Sequence, residues 1–305
     1  MKTLTPLVNF GCLEITGEDA ATFMQEQFTC DITKISPEKF SLSAYCNEQG
    51  RIVATGFIGL FNDKYIFITP KNLLAHTMQK LTQYSFFSNV HINKLEQFMM
   101  LGCLGQAPET NLPTANLEVT EVAPETYALC IDKDQHIYIF FGMQTNVLPY
   151  QENMLQHEDV TLLLDLNPWE KHNIEAGIAH IYPDTLEKIT PHMINYHNKD
   201  AISFTKGCFL GQEIIARTQH RGKSKRKLFT AKIIIENNNV RVGSNITSKT
   251  KTGDSAGIII SKSMLSSEEA LVLAVISDHS IKEKLFCENN VVELVPEATK
   301  QTVVA

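Results

Sequence analysis

Alternating apolar and polar positions organise the first third of the chain. Val8 to Ile15 reads as a strand, and Thr16-Gly17-Glu18-Asp19 then opens a helix that carries Ala20, Phe23, Met24 and Gln27. In that opening, Thr16 serves as the expected N-cap and Asp19 as its reciprocal acid. Ser41 to Cys46 and Arg51 to Phe61 form strands around the Asn47-Glu48-Gln49-Gly50 turn, and Asn62-Asp63 turns the chain into Tyr65 to Thr69. Pro70 suits a first helical turn, and Leu74, Met78 and Leu81 recur at i, i+4 and i+7, which predicts a helix with one face on this meander. Asn89 to Asn93 adds another strand. Strand, helix, strands, helix, strand predicts an α+β layer with antiparallel sheets rather than a doubly wound parallel sheet.

A second sheet-rich portion spans Phe98 to Gly142, with Tyr127 to Ile131 pairing with His136 to Phe141 across Asp132-Lys133-Asp134. Gln144 to Gln156 reads as a helix. Asn167-Pro168-Trp169-Glu170-Lys171-His172-Asn173-Ile174-Glu175 reads as another, with proline near its start. From Leu228 the texture changes to Val- and Ile-rich strands at Phe229 to Glu236, Ala256 to Ser261, Ala270 to Ser277 and Lys284 to Leu294, which predicts a small β-barrel. The expected division is a body over 1–222, with possible subdomains 1–95 and 96–222, a barrel over 223–296 and a frayed tail over 297–305. No internal repeat or low-complexity tract interrupts it.

Composition changes little in that picture but excludes several classes. Apolar residues make up 43% and charged residues 20%, which is ordinary globular usage and rules out a disordered chain. No apolar run approaches the ~18 to 20 residues of a membrane span, and the first residues lack a leader-like apolar region, so a cytoplasmic protein is expected. Seven cysteines, at 12, 30, 46, 103, 130, 208 and 287, never form Cys-x-x-Cys; reduced thiols are expected, with neither a disulfide framework nor a structural zinc site.

Chemistry concentrates in Lys206-Gly207-Cys208-Phe209-Leu210-Gly211-Gln212-Glu213. Gly211 to Arg217 reads as a helix opening with an acidic first turn, and Cys208 would sit near its positive end. That dipole and the neighbouring Lys206 favour thiolate, making Cys208 a candidate nucleophile or metal ligand; the bland alternative is one more small buried apolar side chain. Downstream, Arg217 to Lys227 holds six Lys or Arg and no acid, leaving 21 basic against 34 acidic residues elsewhere. This segment is either a solvated face or a holder for an anion beside the thiol: polyglutamate, phosphate or an RNA backbone. His192 and His197 precede the cysteine in a loop-like stretch and read as loop histidines before they read as ligands.

The order Ile202-Ser203-Phe204-Thr205-Lys206-Gly207-Cys208-Phe209-Leu210-Gly211-Gln212-Glu213, then Ala216-Arg217, Arg221-Gly222 and Lys225-Arg226, resembles the signature of the YgfZ family. These are folate-binding proteins related to the T-protein, the aminomethyltransferase of the glycine cleavage system. Ile15-Thr16-Gly17 with Phe23-Met24-Gln25-Glu26-Gln27, and Trp169 with Asn173-Ile174-Glu175-Ala176-Gly177, extend the likeness. The resemblance implies a T-protein-like body of several subdomains with a C-terminal barrel, tetrahydrofolate or a derivative as cofactor, and iron–sulfur enzymes or their assembly proteins as partners. It implies an accessory role in assembling or repairing those enzymes, and through them support of tRNA modification.

A pterin is a flat amphipathic ring that needs an aromatic or apolar wall and a carboxylate for its paired N–H donors. The resemblance assigns Glu175 to the pterin and an aromatic contact near the start to Phe10, where better-known members carry tryptophan. Trp169 is the candidate wall, although it lies about 9 Å along the helix axis from Glu175 and about 120° short of two full turns. Arg217 and Arg221 are candidates for the anionic end of the cofactor, and Cys208, with Lys206, Gln212 and Glu213, for the chemical step. The T-protein likeness also implies an aspartate after the Gly50 turn. Here Ala54 and Thr55 stand in that region, so general acid–base catalysis of aminomethyl transfer is not expected, and a neutral pocket floor is. A folate-dependent one-carbon transferase and a tRNA-binding factor acting through the basic segment remain the alternatives.

Overall fold

Strands β1 (Lys2–Pro6) and β2 (Phe10–Thr16) lead into helix α1 (Ala20–Gln27) in a computed structural model that describes residues 2–105, 107, 111–221, 224–236, 240–248 and 255–296. Next come β3 (Ser41–Cys46), β4 (Ile52–Phe61), β5 (Lys64–Pro70), α2 (Lys71–Tyr84) and β6 (His91–Lys94). The middle of the chain supplies β7 (Phe98–Leu104), β8 (Val119–Ala123), β9 (Thr126–Asp132), β10 (Ile137–Met143), α3 (Gln144–Met154), β11 (Val160–Leu162) and α4 (Asn167–Glu175). After a stretch of single-turn helices, α5 (Gln212–Arg221) precedes β12 (Arg226–Ile234), β13 (Asn245–Thr247), β14 (Ser255–Met264), β15 (Glu269–Ser277), β16 (Leu285–Cys287) and β17 (Asn290–Leu294).

Period-two alternation sorts each strand's side chains into two different cores. In the five-stranded sheet, ordered β3-β4-β5-β2-β6, Leu13, Ile15, Val53, Ile58 and Phe67 face Phe23 and Met24 of α1 and Leu74 and Leu81 of α2. From the opposite face, Cys12, Leu42, Phe57, Ile66 and Ile68 enter a central core. That core is shared with Leu129, Ile137, Ile139 and Phe141 of a six-stranded sheet ordered β11-β1-β7-β10-β9-β8. The outer face of this second sheet, with Tyr138 and Phe140, packs on Val147, Tyr150 and Met154 of α3. Two sheets thus sandwich one apolar layer, and helices cover their outer faces.

β12 to β17 close into a barrel in the order β12-β15-β14-β13-β16-β17. Ala231, Ile233, Val272, Ala274 and Ile276 form a core of their own, whereas Leu271, Leu273, Val275 and Ile260 alternate with them and join the central core of the body. Asn167, at the start of α4, ties the two together. Its Nδ2 donates to the Met264 carbonyl at 2.7 Å, and its Oδ1 accepts from the Met264 N–H at 2.6 Å and the Ser263 hydroxyl at 3.1 Å. Two residues further along, α4 lays Trp169 over Gly102 of β7, where an added Cβ would meet the indole at 2.5 Å.

The α+β architecture with antiparallel sheets and a C-terminal barrel is as the sequence led one to expect. Several details differ. β1 carries no prior pattern and is recruited by pairing, antiparallel to β7 and parallel to β11. Thr16 and Asp19 form no capping pair: Asp19 is the N-cap without a side-chain cap bond, and its carboxylate instead accepts the Asn89 N–H at 2.7 Å. Lys284 to Leu294 divides into β16 and β17 around Glu288 and Asn289, whose φ of 49° and 68° are those of a tight hairpin turn. The expected tail, 297–305, lies outside the described residues.

Candidate functional site

The segment from Ala201 to Gly211 wraps the C-terminal end of α1. Ser203 N–H donates to the Thr29 carbonyl at 2.8 Å and Leu210 N–H to the Glu26 carbonyl at 2.9 Å, fixing the strap at both ends. Between them, the Lys206 ammonium donates to the carbonyls of Gln25, Phe28 (2.6 Å) and Cys30 (2.8 Å), and it lies 4.9 Å from the centre of the Phe209 ring. Those carbonyls lie at and beyond a helix end, where backbone acceptors lack intrahelical partners. Burial lowers the Lys206 pKa to about 8, against the pull of Cys30 and Asp31 in the opposite direction. Lys206 is therefore committed to capping α1. Its three hydrogen bonds do not involve the Cys208 sulfur, contrary to the expected lysine–thiol pairing.

Cys208 is exposed, whereas the other six cysteines are buried. It lines a hollow of about 410 Å³ together with Ala21, Thr22, Gln25 and Glu26 of α1, Ile32 and Tyr65. Gly211, at φ +79°, brings the strap against the Asn47 to Gly50 turn; a Cβ there would meet the Asn47 carbonyl oxygen at 2.6 Å. Gln212 starts α5. Glu213 projects from its exposed face and pairs with Arg217 at 3.0 Å, so these two residues face solvent together. The Arg221 side chain lies outside the described atoms, as do Gly222 and Lys223 of the basic segment. His192 stacks on His197 at 5.0 Å and faces Gln219 Oε1 at 3.2 Å.

On the other side of the turn that follows α1 opens the larger cavity, of about 770 Å³. Phe40, Leu42, Phe57, Leu117, Ile131 and Ile178 give it apolar walls, and Lys34, Lys39, Lys199, Asp31 and Asp200 line its charged side. The two hollows share a partition. Asp31 and Thr205 line the large one, while their near neighbours Ile32, Thr33, Gly207 and Cys208 line the small one. The thiol and the larger cavity thus belong to two separate hollows.

The residues expected around the pterin distribute unevenly. Phe10 is buried and meets His180 edge-on at 5.0 Å; His180 meets Phe57 at 6.0 Å, so Phe10 backs a cavity wall through two aromatic contacts. Burial lowers the His180 pKa to about 4, leaving a neutral imidazole at ordinary pH. Trp169 is 2% exposed, does not line the cavity, and its Nε1 has no hydrogen-bond partner among the described residues. Glu175 is exposed and accepts from Lys171 at 2.7 Å, with His172 Nδ1 at 3.7 Å. The chain just after it does reach the cavity: Ile178 is in the wall, and Lys199 donates to the Ala176 carbonyl at 3.0 Å. Ala54 is core, and the Thr55 hydroxyl accepts the Ile181 N–H at 2.9 Å; the floor expected from them is supplied instead by Phe57 and Leu42.

One acid escaped the sequence reading. Glu170, beside Trp169 in the first turn of α4, has its pKa raised to about 7 by burial, with hydrogen bonds from Tyr182 (3.5 Å) and Asn9 (3.4 Å) acting the other way. No local pattern signals this, because an acid in a first helical turn ordinarily faces solvent near the positive helix end.

No family model matches the sequence. The chain is similar to the tRNA-modifying protein YgfZ of Buchnera aphidicola subsp. Schizaphis graminum, with 29% identity over 234 residues, covering 74% of this chain and 72% of the relative. It is similar also to the tRNA-modifying protein YgfZ of Blochmanniella pennsylvanica, with 28% identity over 235 residues and coverage of 74% and 70%. Among solved structures, the glycine cleavage system aminomethyltransferase T from Bartonella henselae superposes with a TM-score of 0.74 at 13% identity, covering 96% of this chain and 84% of that one. The likeness to YgfZ therefore extends over three quarters of the chain, and the fold is that of aminomethyltransferase T.

Proposed function

We propose that this relative of the YgfZ proteins binds a tetrahydrofolate in the cavity between its two sheets and acts as an accessory factor for iron–sulfur enzymes, supporting tRNA modification through them. The observation that carries the folate reading is the 770 Å³ cavity, in which aromatic and aliphatic walls run to a rim with three lysines. A flat ring suits walls such as Phe40 and Phe57, and the glutamate carboxylates of a folate suit Lys34, Lys39 and Lys199. Asp31 and Asp200 are the carboxylates that line the cavity and can accept the pterin N–H donors; Glu175, exposed and paired with Lys171, is outside that lining.

Bound, the folate would supply one-carbon chemistry. The chain's own residues bind and orient it, and they offer no acid or base where the T-protein likeness implies one, since Ala54 is apolar and the Thr55 hydroxyl is engaged by the backbone. This favours the accessory reading over a one-carbon transferase. Cys208, exposed and three residues from Thr205 of the cavity lining, is the group a partner's sulfur or cluster can reach. The test is replacement in cells lacking the protein. Methylthiolation of tRNA by an iron–sulfur enzyme is restored by the wild type and falls several-fold short with Cys208→Ala at equal protein level. Full restoration by Cys208→Ala would remove the thiol from the account.

A further inference from the structure

A third hollow, of about 580 Å³, lies where the body meets the barrel and shares no lining residue with the other two. The body contributes Asn47, Gln49 and Arg51 from the hairpin between β3 and β4, and Glu187, Lys188 and Met193 from the segment after α4. Arg226 at the start of β12, Asn245, Ser255 and Ile258 complete it from the barrel. None of these residues belongs to the folate reading, and only Arg226 belongs to the basic segment singled out in the sequence.

The three cations of this cleft are held by backbone carbonyls and not by carboxylates. Arg51 Nη1 donates to the Lys188 carbonyl at 2.9 Å, Arg226 Nη2 to the Ser255 carbonyl at 3.2 Å, and Lys188 Nζ to the Asp184 carbonyl at 2.8 Å. Among the described residues none of the three has an acidic side chain within 4.0 Å. Glu187 is the one acid in the lining, so the cleft keeps an excess of positive charge in a chain whose net charge is −7. Two guanidinium groups positioned but not neutralised, with donors left over, are the ordinary means of holding a phosphate.

The neutral lining adds a direction. Asn47 Oδ1 accepts the N–H groups of Gln49 at 3.1 Å and Arg51 at 3.0 Å, which fixes the orientation of its amide and leaves Nδ2 to donate. Gln49 and Asn245 bring further amides, and Met193 and Ile258 an apolar surface for a flat ring. Charge for a phosphate, amides for ring edges and an apolar wall together describe a nucleotide.

We propose that the cleft between the body and the barrel binds a nucleotide through its phosphate, with Arg51 and Arg226 as the clamp. The phosphate comes either from a free nucleotide or from a strand of RNA, and the two sources share this chemistry. Titration of the full chain with nucleoside monophosphates, and separately with a short single-stranded RNA, tests it, with Arg51→Ala, Arg226→Ala and, as a control on the barrel surface, Lys232→Ala. Lys232 is paired with Glu269 and lies outside the cleft. The expected result is saturable binding of at least one probe, weakened about tenfold or more by each arginine variant and unchanged in the control. Binding of monophosphates assigns the site to free nucleotides; binding of RNA alone assigns it to a strand. Binding of neither probe, equal binding by the arginine variants, or binding of γ-linked oligoglutamate but no phosphate would overturn the proposal.

Discussion

Glu170 shows how much a single side chain departs from its local sequence. Its carboxyl is surrounded by Asn9 and Tyr182, both distant in sequence, and burial raises its pKa from 4.5 to about 7. The folded state therefore keeps this proton to a higher pH than the unfolded state does. The site's contribution to stability is fully present below about pH 4.5 and is lost as the pH rises through about 7. Glu170→Gln, which keeps the shape without the charge, is expected to unfold at higher urea than wild type above about pH 8, by about 1 to 3 kcal/mol, with the difference vanishing in acid. Urea titrations across that range check it, and a pH-independent difference would contradict it. The sequence offers Glu170 as a surface acid, whereas it offers Cys208 as either a reactive thiol or a buried apolar group. Exposure removes the buried reading and leaves the reactive thiol as a proposal.

At the scale of elements, periodicity made α2 and the β3–β4–β5 meander readable, because the strands send alternate residues into two cores and α2 buries Leu74 and Leu81 while its other face is exposed. β1 was not readable: its ladder comes from β7 and β11, which lie far along the chain. The same holds for the strap that carries the cysteine. Its motif was legible, but the partner of Lys206 is the end of α1, 176 to 181 residues earlier, and no spacing rule connects them. Removing that ammonium leaves three carbonyls without their donor. Lys206→Met is expected to lower stability by about 2 to 4 kcal/mol, while Cys208→Ser, at an exposed position, changes it by less than about 0.5 kcal/mol. Urea midpoints measure both, and a Lys206→Met midpoint equal to wild type would mean that the cap adds nothing.

Across the whole molecule, the cavity exists because four stretches meet: the chain from Asp31 to Phe40, one face of the β3–β4 hairpin, the β8–β9 region of the second sheet, and the chain from Ile178 to Thr205. Its walls looked like ordinary core positions in the sequence, since Leu42, Phe57 and Ile131 alternate correctly for strands and carry no chemical signature. The family likeness suggests the ligand class, and this cavity is the place proposed for it. Ser41, small and half-buried on the rim of β3, allows that place to be filled without disturbing either sheet. Calorimetric titration of tetrahydrofolate into wild type and Ser41→Trp, with melting curves for both, is the most direct test. Saturable binding by wild type, weakened at least about tenfold in a variant that melts normally, is the predicted result; no binding by wild type, or equal binding by a normally folded Ser41→Trp, would contradict it.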